Sequence, residues 1–172
     1  LKGMNEFFGK VLGVEIAVDS LIPGESWCGE AIKKLRVTVP GTDTEGIIYL
    51  DLIPRQEKFP HAAHFVIRCG HRQKSGGTRQ IASVALVCNF AAKSFSRETL
   101  LTHQELETFL HEFGHAMHSV LSDTEFQHLS GTRGAMDYVE VPSHVFEYFA
   151  WDANALHFLG RHYQTGEAIP AA

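Results

Sequence analysis

The sequence holds one short run of reactive side chains, His111-Glu112-Phe113-Gly114-His115, in which two imidazoles stand four positions apart with a carboxylate beside the first. On an α-helix, positions i and i+4 share a face, so both rings point one way at a separation suited to a single Zn²⁺. The chemistry expected is hydrolysis. A bound zinc lowers the pKa of its water toward about 7, and the neighbouring Glu112 takes the proton as the water attacks a peptide carbonyl. A catalytic zinc site needs a third protein ligand and an open position. The candidate third ligand is Glu140, in the segment DYVEVPS, with 24 residues intervening after His115. Glu147, seven positions later on the same helical face, is the candidate acceptor for a ligand histidine's other N–H. The competing reading of Glu140 and Glu147 is a solvated helix face. His118 would close the open position as a fourth ligand and is assigned to packing. His61, His64, His71, His103, His128, His144, His157 and His162 are assigned to surface or loop positions.

These residues need elements to position them. Leu106, Phe109, Leu110, Phe113, Met117 and Val120 recur three or four positions apart, which predicts one long helix from about His103 to Leu121. After a loop over residues 122–136, a second helical pattern runs over about 137–162, with Pro142 as a first-turn residue or a kink. Upstream, residues 3–12 form an amphipathic helix that stops at Gly13. Residues 14–90 carry short β-rich runs at 35–39, 46–53, 63–68 and 81–89, separated by Pro, Gly, Asp and Ser clusters. The segment QKSGG over 73–77 is the expected flexible loop, with Gly76 and Gly77 free to take positive φ. The predicted class is α+β: a small β-sheet over about 14–90, then two long helices over about 103–162 carrying the zinc site, all in one partial catalytic domain over residues 1–172.

Composition narrows the partners. A formal net charge of −5 and a pI near 6.1 give no basic excess of the kind that draws nucleic acid or an anionic membrane. No run approaches the roughly 18 apolar residues of a membrane span. Cys28, Cys69 and Cys88 are odd in number and widely spaced, which speaks against a disulfide framework; Cys69 and Cys88 are expected as small core residues.

The runs HEFGHAMHS, SGTR, DYVEVPS and EYFAWD, with GESW, LRV, EGIIYLDLIPR and AAHFVIRCG upstream, resemble the thimet oligopeptidase family of zinc metallopeptidases over nearly the whole chain. The stretch GRHYQTGE is most similar to that family's mitochondrial processing branch, while Gly134 and Phe113 depart from a cysteine and a methionine usual there. The resemblance implies one Zn²⁺ per chain held by His111, His115 and Glu140, Glu112 as base, and Glu147 orienting a ligand. It also implies substrate contacts by Ala63, His64 and Phe65 and by Gly131, Thr132 and Arg133. A strand edge binds extended peptides through backbone groups and so tolerates varied sequences; the alternative for residues 63–68 is a buried structural strand. The implied activity is cleavage of short or unfolded peptides, in the mitochondrial branch the removal of N-terminal peptides from imported precursors in the matrix. The alternatives are a general cytosolic or bacterial oligopeptidase, and a zinc-binding fragment without activity of its own. That last reading arises because the family places its oxyanion-stabilising Tyr and His far downstream of the third ligand, whereas 32 residues follow Glu140 here, and because the family's large helical wall has no counterpart. Phe109, Phe146, Phe149 and Phe158 are expected to leave exposed apolar surface on the isolated chain.

Overall fold

A computed structural model describes residues 1–72, 79–90 and 100–170. The expected loop at 73–77 therefore lies outside the described residues. Helix α1 (Lys2–Leu12) buries Met4, Phe7 and Phe8 and ends at Gly13, whose φ of 67° is the left-handed conformation in which glycine closes a helix. Five strands follow: β1 (Glu15–Asp19), β2 (Ile32–Thr38), β3 (Glu45–Asp51), β4 (Ala63–Arg68) and β5 (Ala82–Val87). They form one sheet in the order β1-β2-β3-β5-β4, antiparallel throughout except for the parallel pair β3–β5. The class is α+β, as predicted. β1 was not among the predicted strands, because only Ile16 of its five residues is buried and its apolar pattern is too sparse to stand out.

The two ends of the sheet differ. β5 has the sequence ASVALV, with no polar alternation, and is buried along its whole length between β3 and β4. Among the described residues β4 pairs with β5 on one side only, and it is exposed from Phe65 to Arg68, so it is an edge there and not a buried structural strand.

Helix α2 (His103–Leu121) begins in a capping box: the Glu105 N–H donates to Thr102 Oγ1 at 3.2 Å, and the Thr102 N–H donates to Glu105 Oε2 at 2.7 Å. Its apolar stripe, Leu110, Phe113, Ala116, Met117 and Val120, shares a core with Leu35, Val37, Ile48, Leu50, Val84 and Leu86 of the sheet. The second long helix is not formed. Residues 136–159 instead make three short ones, α3 (Met136–Val139), α4 (Val141–Tyr148) and α5 (Ala153–Leu159). Pro142 occupies the first turn of α4, where its missing N–H costs no hydrogen bond, and the Asp152 carboxylate caps α5 by accepting from the Ala155 N–H at 2.8 Å.

The aromatic residues expected outside are inside. Phe109 and Phe146 are buried, and Phe149 and Phe158 pack against the core. Phe7 meets Phe149 and Phe8 meets Phe146, each at 5.0 Å between ring centroids, so α1 covers the face that helical spacing alone leaves open. The most exposed large apolar side chains of this half include Met136, Tyr148 and Trp151, and Leu129 and Tyr138 are exposed as well. Cys69 and Cys88 are buried as expected.

Where β3 ends, a buried ionic cluster anchors the chain that leads to β4. The Asp51 carboxylate, with its side chain 3% exposed, accepts hydrogen bonds from Trp27 Nε1 at 2.8 Å and Arg55 Nη1 at 2.6 Å and pairs with Lys58 Nζ at 3.0 Å. Burial by itself would raise the Asp51 pKa, but the bonds from Arg55, Trp27 and Lys58 outweigh it and hold the carboxyl at about 2. A depressed carboxylate stabilises the fold above the pKa it has when unfolded, near 4, and that contribution is lost as pH falls through about 2. Asp51→Asn is therefore expected to cost about 3–5 kcal/mol at neutral pH, by leaving Lys58 buried without its partner. It should also flatten the stability slope between pH 4 and 2 in a denaturant series. A variant with the parent's slope would show that another group carries it.

Candidate metal centre

His111 and His115 project from α2, and their rings lie 4.9 Å apart between centroids at 83°. Glu140 stands at the break between α3 and α4, with φ −86° and ψ −8°, which turns its carboxylate toward α2. Its Oε2 is 3.0 Å from His115 Nε2 and 3.4 Å from His111 Nε2. Zinc–ligand bonds of about 2.0–2.1 Å at tetrahedral angles space ligand atoms by roughly 3.3 Å, so these three donors suit one such ion. Among the described residues they form one of two groups with convergent metal-ligating atoms.

The close approach of α4 has a cause in the motif itself. A Cβ on Gly114 would meet Ser143 Cα at 2.7 Å and Pro142 O at 2.9 Å, so the residue before His115 must be glycine for Glu140 to reach this side of α2. Ser143 is fully buried, and its hydroxyl lies 2.8 Å from Glu140 Oε2 and 2.9 Å from the Glu140 carbonyl, donating to one at a time. That hydrogen bond, with His115 and His111 nearby, lowers the Glu140 pKa against the opposing effect of burial. The carboxylate is held ionised.

Glu147 holds the other side of His111. Its Oε1 accepts from His111 Nδ1 at 2.5 Å and its Oε2 from His144 Nδ1 at 3.0 Å. A proton kept on Nδ1 leaves the lone pair of His111 on Nε2, the nitrogen aimed at Glu140. The second convergent group, His111, His144 and Glu147, is this same hydrogen-bonded fork. Burial pushes the Glu147 pKa up, but His144 and His111 bring it down on balance, and Glu147 in turn raises His144.

Glu112, 8% exposed, lies on α2 beside His111. Burial raises its pKa and Glu140 adds to this, while His111 and the backbone N–H of His64 act in the opposite sense; the net shift is upward. His115 is shifted down, chiefly by burial.

The remaining predicted residues are placed as follows. Ala63, His64 and Phe65 lie in β4, beside α2. His64 is not the surface residue expected: its imidazole is largely enclosed, it meets Ser119 Oγ of α2 at 3.0 Å, and burial with His115 and His118 nearby holds its pKa at about 4. Gly131 is buried against Ser119, and Arg133 Nη1 donates to Gln127 O within its own loop at 3.3 Å. His118 is outside both metal-ligating groups, its ring 6.1 Å from that of Tyr138. Ser143 and His144 were missed. Both sit three residues from a glutamate they bond to, a spacing that joins neighbours on a helix face.

This α+β architecture, with paired imidazoles and a carboxylate converging from a facing helix, has relatives. The chain matches Peptidase family M3 over residues 1–172 and belongs to that family of metallopeptidases. It is 44% identical over 170 residues to the mitochondrial intermediate peptidase of Arabidopsis thaliana, covering 99% of this chain and 24% of that protein. It is 40% identical over 172 residues to the mitochondrial intermediate peptidase of Mus musculus, covering 100% and 24%, and 40% identical over 170 residues to that of Homo sapiens, covering 99% and 24%. The chain spans about a quarter of the length of these curated relatives.

Proposed function

We propose that this chain forms the zinc-binding centre of an endopeptidase that cleaves short or unfolded peptide segments in mitochondria, removing N-terminal peptides from imported precursors. The observation that carries the reading is the convergence of one ligand atom each from His111, His115 and Glu140 within 4.8 Å of one another, with Glu140 Oε2 3.4 Å from His111 Nε2 and 3.0 Å from His115 Nε2 and with Glu112 next in sequence to His111. His111, His115 and Glu140 hold the metal, Glu147 fixes the His111 tautomer, and residues 1–172 act as one partial catalytic domain. Bound zinc supplies Lewis acidity for a water and for the scissile carbonyl. Glu112 accepts the proton of the attacking water and returns it to the leaving amine, a role suited to a carboxylate whose pKa burial has raised. β4 presents an edge along which an extended peptide can add as a further strand, with Ala63, His64 and Phe65 nearest the motif. Gly131 packs on the same helix at Ser119, and the Gly131-Thr132-Arg133 loop is assigned to the same substrate wall.

The names of the relatives support the mitochondrial assignment. The test is metal content and peptide hydrolysis in the same samples, comparing a precursor-derived cleavage junction with generic short peptides. One zinc per chain with preference for the junction is the expected result. Equal turnover of both would make this a general oligopeptidase, and zinc without turnover a binding centre alone.

Glu147 offers a graded check. Glu147→Ala frees His111 Nδ1 and is expected to weaken zinc binding by about 10–100-fold, measured by chelator competition. Unchanged affinity would show that the His111 ring is held by packing.

A further inference from the structure

Three elements around the centre meet at one buried serine. Ser119 lies on α2 one turn beyond His115, 4% exposed, and its hydroxyl faces His64 Nε2 of β4 at 3.0 Å. From the other side, Gly131 comes so close that an added Cβ would stand 2.9 Å from Ser119 Oγ and 3.0 Å from Ser119 Cα. Gly131 has φ 58°, and its N–H donates to Ser122 Oγ at 2.9 Å. The contact between His64 and Ser119 links β4 to α2 across 55 residues of chain. It also holds the main chain of β4 beside α2.

An edge strand needs such a tie. Among the described residues β4 has a partner on one side only, and its register is irregular between Val66 and Arg68, directly after this contact. Toward its far end the strand is exposed, so little packing fixes its distance from α2. A strand free to slide by an ångström would carry away the edge beside the motif helix.

Resting on the hydrolytic reading above, we infer that His64 is a positioning residue: Ser119 holds its imidazole, and this clamp sets the edge strand against the motif helix. Among the described residues His64 is outside both converging donor groups. Its effect is on the placement of the peptide edge.

The experiment uses the intact, zinc-loaded protein with His64→Ala, His64→Gln, Ser119→Ala and the double alanine variant. Misplacement of the scissile bond against the catalytic groups by about 1 Å costs up to roughly a hundredfold, so kcat/KM should fall about tenfold or more in each alanine variant, with zinc affinity little changed. The double variant should be no slower than the worse single one, because both break one contact. His64→Gln, whose amide can still meet the Ser119 hydroxyl, should recover most of the rate. Wild-type rates in the alanine variants, losses that multiply, or losses that follow zinc content would overturn the inference. A second readout needs no turnover: amide exchange over residues 63–68 should quicken about tenfold in Ser119→Ala while β5 stays protected. Unchanged exchange there overturns the clamp even if the wild type proves inactive, whereas an inactive, metal-free wild type with quickened exchange in the variant overturns only the hydrolytic reading.

Discussion

Glu112→Gln should reduce kcat by about 10²–10⁴ while leaving one zinc per chain, because it removes the proton acceptor without touching the three converging donors. The substitution keeps the size and most of the packing of a side chain that is 8% exposed, so the fold has no reason to change. The nearby groups do not offer a replacement base. Glu140 is committed to the imidazoles and Ser143, and Glu147 is occupied on both oxygens by His111 and His144. Measuring kcat and metal content on the same preparation separates the roles. A variant that has lost its zinc would make Glu112 part of the metal site, and one that keeps its rate would assign the proton transfer elsewhere.

Glu140→Gln is expected to act in the opposite way, on the metal first. Glutamine can still accept the Ser143 hydrogen bond, but it brings no negative charge between His111 and His115. Loss of the charged oxygen should weaken zinc by more than the roughly 10–100-fold that outer-shell partners cost, and activity should fall with occupancy. Chelator competition gives the affinity directly. Ser143→Ala provides the graded comparison: it leaves the carboxylate in place, removes its buried donor, and should lower affinity less. If Glu140→Gln retained full zinc at the parent's affinity, the third ligand would have to be another residue, and the approach of α4 to α2 would be structural.

Much of the scaffold is legible locally. The apolar repeat from Leu106 to Val120, with Thr102 and Glu105 before it, is sufficient for α2, because a capping box and a 3.6-residue stripe act within one turn or two. The runs at 35–39, 46–53 and 63–68 mark strands by their β-branched and apolar content between turn residues, while β1 escapes for want of buried positions. The expected long helix over 137–162, with Pro142 as a first-turn residue or a kink, divides just before Pro142, which takes the first-turn position, and again at Asp152, which caps the next helix.

The sequence by itself determined which groups are available: two histidines on one helix face, a glutamate beside them, and two further glutamates seven positions apart. Helical geometry fixes the first relation, since i and i+4 always share a face. Only the tertiary structure decided that Glu140 faces Nε2 of both histidines while Glu147 takes Nδ1 of one. Only it decided that β4 is an edge and that His64 turns inward to Ser119. These contacts join residues 25 to 55 positions apart, and no periodicity reports them; they exist because Gly114 lets α4 approach α2 and because the sheet packs against the helix's other face.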